Sequence, residues 1–204
     1  MNDFGERIPC LDHGFVELVD VMGDDMSIVQ AARVSFGNEE LPRSAMENVG
    51  LIRYLLRHRH TTPFEMVEFK FHMSMPIVVA RQAIRHRTAN VNEISGRYAE
   101  LPEVFYVPNA DRVRAQSTSN KQGSSEFVLD AADAHVFGFE NEAQESFRLY
   151  HERIEAGMAK ELARNNLPLS TYTRWYWKVD LHNLMHFLSL RLDSHAQYEI
   201  RVFA

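Results

Sequence analysis

"VEFKFHMSM", residues 67–75, alternates without a break. Val67, Phe69, Phe71, Met73 and Met75 fall on one parity, and Glu68, Lys70, His72 and Ser74 on the other. A strand sends successive side chains to opposite faces, so the stretch reads as a half-buried strand. One apolar face and one polar face suit antiparallel neighbours better than a parallel sheet covered on both sides.

Working towards the N-terminus, "GFVELVDVMG" (14–23) reads as an early strand ended by glycine. "DDMSIVQAARVSF" (24–36) opens with acidic residues, which suit a helix start. In "SAMENVGLIRYLLRHRH" (44–60), Met46, Val49, Ile52, Leu55 and Leu56 recur at helical spacing. That helix runs into "HRHTTPFE", where Thr62-Pro63-Phe64-Glu65 resembles a capping box with proline at the first helical position.

Working towards the C-terminus, "PIVVARQAIRH" (76–86) begins a helix with proline in its first turn, and the basic stretch after it continues as loop. "VFYVP" (104–108) reads as a short strand, and the polar "RAQSTSNKQGSSE" (114–126) as a mobile surface loop or lid. Residues 134–168 are mostly helix, with Phe147, Tyr150, Ile154, Met158 and Leu162 every three or four residues and Gly157 as a break. Residues 181–204 are helical to the end, bent near Asp193-Ser194. No repeat or linker appears. The expectation is one α+β domain over residues 1–204, a mainly antiparallel sheet flanked by helices.

The chain's 204 residues, 45% hydrophobic and 25% charged, suffice for one domain with a sizeable core. A net charge of -6 argues against a general nucleic-acid binder and points any basic cluster at a small anion. The single cysteine, Cys10, excludes an intrachain disulfide and a cysteine zinc site, and fits a reducing, cytoplasmic setting. "MNDFGERIPC" (1–10) has no apolar core of a signal peptide, and no run of about eighteen apolar residues suggests a membrane span.

Chemistry concentrates in "RHRTANVNEISGRY" (85–98), with Arg85, Arg87, Arg97, His86, Asn90, Asn92, Glu93 and Ser95. Arginine is always charged and carries a rigid fork of donors, so these residues bind anions and do not act as acids or bases. An ion-paired helix end is the bland account, but only Glu93 and Glu100 are local acids. The cluster suits a nucleotide. His58 and His60 lack a partner at a zinc spacing, so no metal site is expected. Arg191, Asp193, His195 and Gln197 in "LRLDSHAQ" could form a core hydrogen-bond network, and Arg164 in "ARNNLP" could be an ordinary surface arginine. Cys10 and Ser95 have no activating base in view. Anion-binding groups without a nucleophile point to a cofactor that carries the reaction. Neither G-x-G-x-x-G nor G-x-x-x-x-G-K-[ST] occurs, so a Rossmann or P-loop site is not expected.

Arg85-His86-Arg87, seven residues, then Ser95 resembles the signature of the flavin-dependent thymidylate synthases. The match extends through "NEISGRY". "GFVELVDVMG", "AARVSF", "HRHTTPFE", "PIVVARQ" and "LRLDSHAQYEI" also resemble family blocks, in order, from about residue 12 to 201.

The resemblance implies FAD- and NADPH-dependent methylation of dUMP to dTMP, with 5,10-methylenetetrahydrofolate as one-carbon donor, hydride from reduced flavin and no cysteine nucleophile. It implies a homotetramer whose active sites combine subunits, and small-molecule partners rather than nucleic acid or membrane. Carried over by position, His60, Thr62 and Glu65 contact FAD. So do Arg85, His86, Arg87, Glu93, Asp180, Leu181, His182 and His186. Gln82, Ala83, Ile84 and Arg85 line dUMP, and Glu93, Ile94, Ser95, Gly96 and Arg97 cradle it. Arg164 binds its phosphate. Arg191 stabilises the N3-deprotonated uracil, and Ser95 is the second residue placed at the reacting base.

The chain departs from the pattern at Asn90, where many members have serine, and at Asp180 and His186, asparagine in some. It ends at Ala204, where many members continue into a helical tail. The rival readings are a family member that binds FAD without turnover, a non-catalytic nucleotide- or RNA-binding protein, and a histidine-based metal hydrolase.

Overall fold

The computed structural model describes residues 4–37 and 43–204; the first three residues of "MNDFGERIPC" lie outside the described residues. The alternating stretch is the middle of a five-stranded sheet. β1 (Arg7–Cys10), β2 (Gly14–Met22), β3 (Glu68–Pro76), β7 (Tyr172–Asp180) and β4 (Asn90–Glu93) stand in that order. Every pairing is antiparallel, as the polar second face of β3 requires.

β7, "YTRWYWKVD", is the long strand that the sequence reading did not place. Its signal was present. Thr173, Trp175, Trp177 and Val179 are buried, while Arg174 and Tyr176 are exposed. Against β3 it sets Phe71 opposite Trp177 and Met73 opposite Trp175. Such cross-strand aromatic and apolar pairs contribute about 0.2–1 kcal/mol each. On the other face His72 stacks on Tyr176 at 4.8 Å and reaches Glu17 at 3.2 Å.

Helices cover the apolar face. α3 (Ile77–Ala83), α6 (Leu181–Arg191) and α7 (Tyr198–Phe203) pack Val79, Ala80, Ala83, Phe187, Ile200 and Phe203 onto Met73, Met75, Trp175, Trp177 and Val179. α1 (Asp25–Val34) and α2 (Ala45–Arg57) close the other end around Ile28, Leu55, Phe64 and Val67. Both start with a capping box, at Asp24 and at Ser44. Gly14 is required where β1 turns into β2. A Cβ there would lie 2.6 Å from the Cys10 carbonyl and 2.8 Å from that of Ser74.

α4 (Ala132–Glu155) and the short α5 (Lys160–Ala163) form a third cluster around Phe147, Tyr150 and Ala163. Gly157 ends the helical run at φ +84°, a left-handed conformation that glycine adopts freely. Met158 and Leu162 therefore leave the helical stripe, and both are exposed.

Several local readings are corrected. Thr62–Met66 is a 3-10 turn with proline early, but no side chain caps it. Pro76 ends β3 and stands just before α3 in extended conformation. Residues 104–108 make only an isolated bridge, Phe105 to Thr171. The polar segment is not an open loop: β5 (Arg114–Gln116) and β6 (Ser124–Val128) pair as a hairpin. The basic stretch contains β4, which pairs with β7 at the edge of the sheet. The C-terminal segment breaks between α6 and α7 rather than bending. No helix among the described residues is long and apolar enough to cross a membrane.

Candidate active site

α3 and α6 leave adjacent antiparallel strands from opposite ends of the sheet, and they pack on the same face. Their C-terminal ends meet. Arg191, the last residue of α6, donates from Nε to His86 Nε2 at 3.0 Å and from Nη2 to the Gln82 carbonyl at 3.4 Å. Basic side chains suit both ends, because the last carbonyls of a helix carry partial negative charge. A tight turn presents the signature: Arg85 N–H donates to Gln82 O, and His86 N–H to Ala83 O. The cleft between them holds about 320 Å³ and is lined by Arg85, His86, Arg87, Asn183, His186 and Arg191.

To accept from Arg191, His86 Nε2 must be unprotonated, which leaves the ring hydrogen on Nδ1. Burial, then the Arg191 charge, then His186 hold the His86 pKa below its ordinary value. The folded state therefore binds fewer protons at this ring than the unfolded chain does. The stability this contributes is present above the ordinary histidine pKa and is lost as pH falls through it towards the folded value. Between about pH 7.5 and 5.5, around the ordinary value of about 6.5, melting temperatures of the wild type should fall more steeply than those of His86→Gln. Parallel curves would remove His86 as the cause.

A second group gathers around the turn after β4. Glu93 accepts a hydrogen bond from the buried Thr173 hydroxyl. Ile94 N–H donates to Arg174 O at 2.9 Å. Ser95 Oγ accepts from Arg97 N–H at 3.3 Å, and its carbonyl accepts from Tyr98 and Ala99 N–H. Gly96 admits the Arg164 stem: a Cβ would meet Arg164 Cδ at 3.1 Å and Leu101 Cδ1 at 3.0 Å. Arg164 starts the 3-10 turn that follows α5. Arg97 is ion-paired with Glu161 at 3.4 Å, in the open. Among the described residues Ser95 has no base beside its hydroxyl. Cys10 is buried in the core cluster, its thiol pushed up by burial and directed at the Ile8 and Val202 carbonyls.

His60 and Thr62 line a separate cleft of about 1230 Å³, with Phe36, Tyr54, Leu55 and Met66. It shares no residue with the Arg191 cleft. Glu65 stands half-buried on the same 3-10 turn. His182 is half-buried on α6. Asp180 and Leu181 have work within the chain. Asp180 caps α6, accepting from Asn183 N–H at 2.9 Å and Asn183 Nδ2 at 2.7 Å. Leu181 N–H donates to Val67 O, and its side chain joins the Phe64–Val67 cluster. Ala83 likewise is core, and Ile84 is exposed beside it. Asn183 and Thr173 were missed; the Asp180-x-x-Asn183 spacing was a readable cap signal. Among the described residues no three His, Cys, Asp or Glu are grouped to hold a metal ion.

The family model described as "Thymidylate synthase complementing protein" matches residues 17–204. The flavin-dependent thymidylate synthase of Gluconobacter oxydans is 57% identical over 199 residues, covering 95% of this chain and 65% of its own length. That of Wolbachia pipientis is 55% identical over 200 residues, 98% of this chain and 70% of its own. That of Thermus thermophilus is 56% identical over 197 residues, 97% of this chain and 71% of its own. The chain thus spans about two thirds of the length of the curated relatives it matches. Among solved structures, a UMP/dUMP methylase, PolB from Streptomyces cacaoi, bound with 5-Br dUMP, superposes with a TM-score of 0.85 at 36% identity, over 97% of this chain and 89% of that one. Agreement at more than half of the positions, over nearly all of this chain, is far more than a chance run of motifs could give: the chain belongs to the family of the flavin-dependent thymidylate synthases.

Proposed function

We propose that this chain methylates dUMP to dTMP in the cytoplasm, with FAD as cofactor, NADPH as reductant and 5,10-methylenetetrahydrofolate as one-carbon donor. The observation that carries the reading is the contact between Arg191 and His86, which joins the signature to the C-terminal motif in one cationic cleft. The substrates are small molecules, not nucleic acid.

The side chains fit FAD. Arg85 and Arg87 are exposed and form no ion pair among the described residues, so they are free to take a pyrophosphate. The His60–Thr62 cleft offers apolar walls with polar groups for a ring system. His60, Thr62, Glu65, Arg85, His86, Arg87, Glu93, His182 and His186 would hold the cofactor, with Asp180 and Leu181 shaping its site from behind. Bound FAD would supply the hydride that completes the methyl group.

The remaining work falls to binding and charge. Arg191 uses two of its five guanidinium hydrogens inside the chain and keeps three for a ligand. Its charge favours uracil deprotonated at N3, which raises electron density at C5 without an enzyme nucleophile. Arg164 takes the dUMP phosphate, close to the turn of Ile94, Ser95, Gly96 and Arg97, with Gln82, Ala83 and Ile84 as the opposing wall. Ser95 holds this turn and positions dUMP. Ser95→Ala should therefore keep turnover, with KM for dUMP raised no more than about tenfold, the worth of one neutral hydrogen bond of about 0.5–1.5 kcal/mol. Abolished turnover in a folded, flavin-loaded Ser95→Ala protein would refute that role.

The complete site is shared among subunits of a homotetramer. The His60 and Arg191 clefts are separate within one chain, and Val34, Phe36, Met46 and Phe137 expose apolar surface that suits burial between copies. Coexpressed His60→Ala and Arg191→Ala chains, each inactive alone, should regain part of the activity in mixed tetramers. No recovery would place the whole site in one chain.

Tritium release from [5-³H]dUMP tests the reaction itself. Release that requires NADPH and methylenetetrahydrofolate is expected. A flavin-loaded protein that binds dUMP and releases nothing would overturn the reading.

A further inference from the structure

The β5–β6 hairpin lies over the break between α6 and α7 and leaves a cavity of about 560 Å³ that the proposed reaction has not used. Arg112, Arg114 and Arg201 line it, with Glu126 and Glu199. Asn120 Nδ2 ties the hairpin to the break by donating to His195 O at 3.4 Å, and Gln116 Nε2 braces its turn by donating to Gly123 O at 2.8 Å.

The arginines are poorly satisfied. Arg112 Nε is buried with no hydrogen-bond partner among the described residues, and its guanidinium lies over the Tyr198 ring at 3.8 Å. Arg114 Nε reaches only the Asp111 carbonyl, at 2.6 Å. None of the three arginines has a carboxylate within 4.0 Å among the described residues. Glu199 is engaged, accepting from Tyr106 Oη at 3.1 Å and Gln197 Nε2 at 2.7 Å. A buried guanidinium N–H without an acceptor is costly, and the three arginines outnumber the two glutamates on the same walls. A doubly charged anion relieves both. The space is larger than a bare phosphate needs, and the two glutamates can accept hydroxyl donors.

We propose that this cavity binds a ribose phosphate, the arginines holding the phosphate and the glutamates the free sugar hydroxyl and the amino group of the base. Within the proposed reaction, on which this identification rests, the dUMP phosphate belongs to Arg164. The ribose phosphate here is then the phosphorylated adenosine end of NADPH. The cavity adjoins the signature, because Gln82 donates to Gln197 on its wall.

Calorimetric titration of the full chain with adenosine 2′,5′-bisphosphate, dUMP and inorganic phosphate tests this, on the wild type, Arg201→Gln and Arg112→Gln. Arg201 is exposed, so its variant leaves the hairpin in place even where Arg112→Gln disturbs it. The bisphosphate should bind, and each variant should weaken it about tenfold or more while dUMP affinity holds. Equal loss of dUMP affinity would keep the ribose phosphate but assign it to the substrate. Bisphosphate binding that is absent, unchanged by both variants, or no tighter than inorganic phosphate would overturn the proposal. Arginine-dependent bisphosphate binding in a protein that never oxidises NADPH would support the cavity and refute the reaction.

Discussion

Arg191→Ala should lower the rate of dTMP formation by about 10²–10³-fold, the usual cost of deleting one preorganised group that stabilises charge at the reacting centre. The fold should survive. Arg191 ends its helix, and its side chain contributes one bond to His86 and a longer one to Gln82. Loss of the cation also removes one cause of the depressed His86 pKa, so that pKa should rise towards its ordinary value. Arg191→Lys should recover little, because an ammonium cannot hold His86, Gln82 and uracil together as the planar fork does. Steady-state kinetics, thermal melts and an NMR titration of His86 separate these effects. Near-normal turnover in Arg191→Ala would remove Arg191 from the chemistry.

The largest loss of stability is expected far from that cleft. Phe147 has 0% exposure, stacks on Phe105 at 6.0 Å and meets Tyr150 edge-on at 6.2 Å. Phe147→Ala should cost about 3–5 kcal/mol, a fall in Tm of roughly 6–20 °C for a chain of this size. The damage reaches the site through short links. Tyr150 Oη accepts from Leu101 N–H at 3.0 Å, Leu101 packs under Gly96, and Ala163 precedes Arg164. KM for dUMP should rise with the loss of stability. Phe147→Leu, which keeps most of the volume, should lose much less of both. A Phe147→Ala protein that melts like the wild type would mean that this cluster does not anchor α4.

The parts of the fold that could be read were those in which burial leaves a period. β3 alternates because Phe69, Phe71, Met73 and Met75 join the apolar clusters, although Ser74 near its end is buried as well. The α2 repeat is only partly core, since Ile52 and Leu55 pack inward while Met46, Val49 and Leu56 are exposed. In β7 the same period is blurred, because Trp175, Tyr176 and Trp177 place aromatic rings on both faces in succession. β4 gave no such signal. "NVNE" sits at the sheet edge with all four residues exposed, so nothing in its composition separates it from loop. The hairpin at 114–128 is similar: its strands are short and polar, and backbone pairing rather than side-chain burial defines them. The candidate site is assigned from residue types at family positions. Its joints were not legible in the sequence. The His86–Arg191 bond links residues 105 apart, and the Gly96–Arg164 approach depends on how α5 packs.

The pairing of β3 with β7 also sets a timetable for synthesis. Partner residues, such as Glu68 and Asp180 or Pro76 and Tyr172, lie about a hundred positions apart. At about 5–20 residues per second on the ribosome, β3 waits roughly 5–20 s with one edge unpaired. Through that interval β2 alone flanks it in the sheet, and Phe71, Met73 and Met75 have neither Trp175 nor Trp177 to cover them. The element whose pattern is clearest in the sequence is thus the one most open to wrong partners while the chain is being made, and slower elongation between residues 76 and 172 would lengthen that exposure.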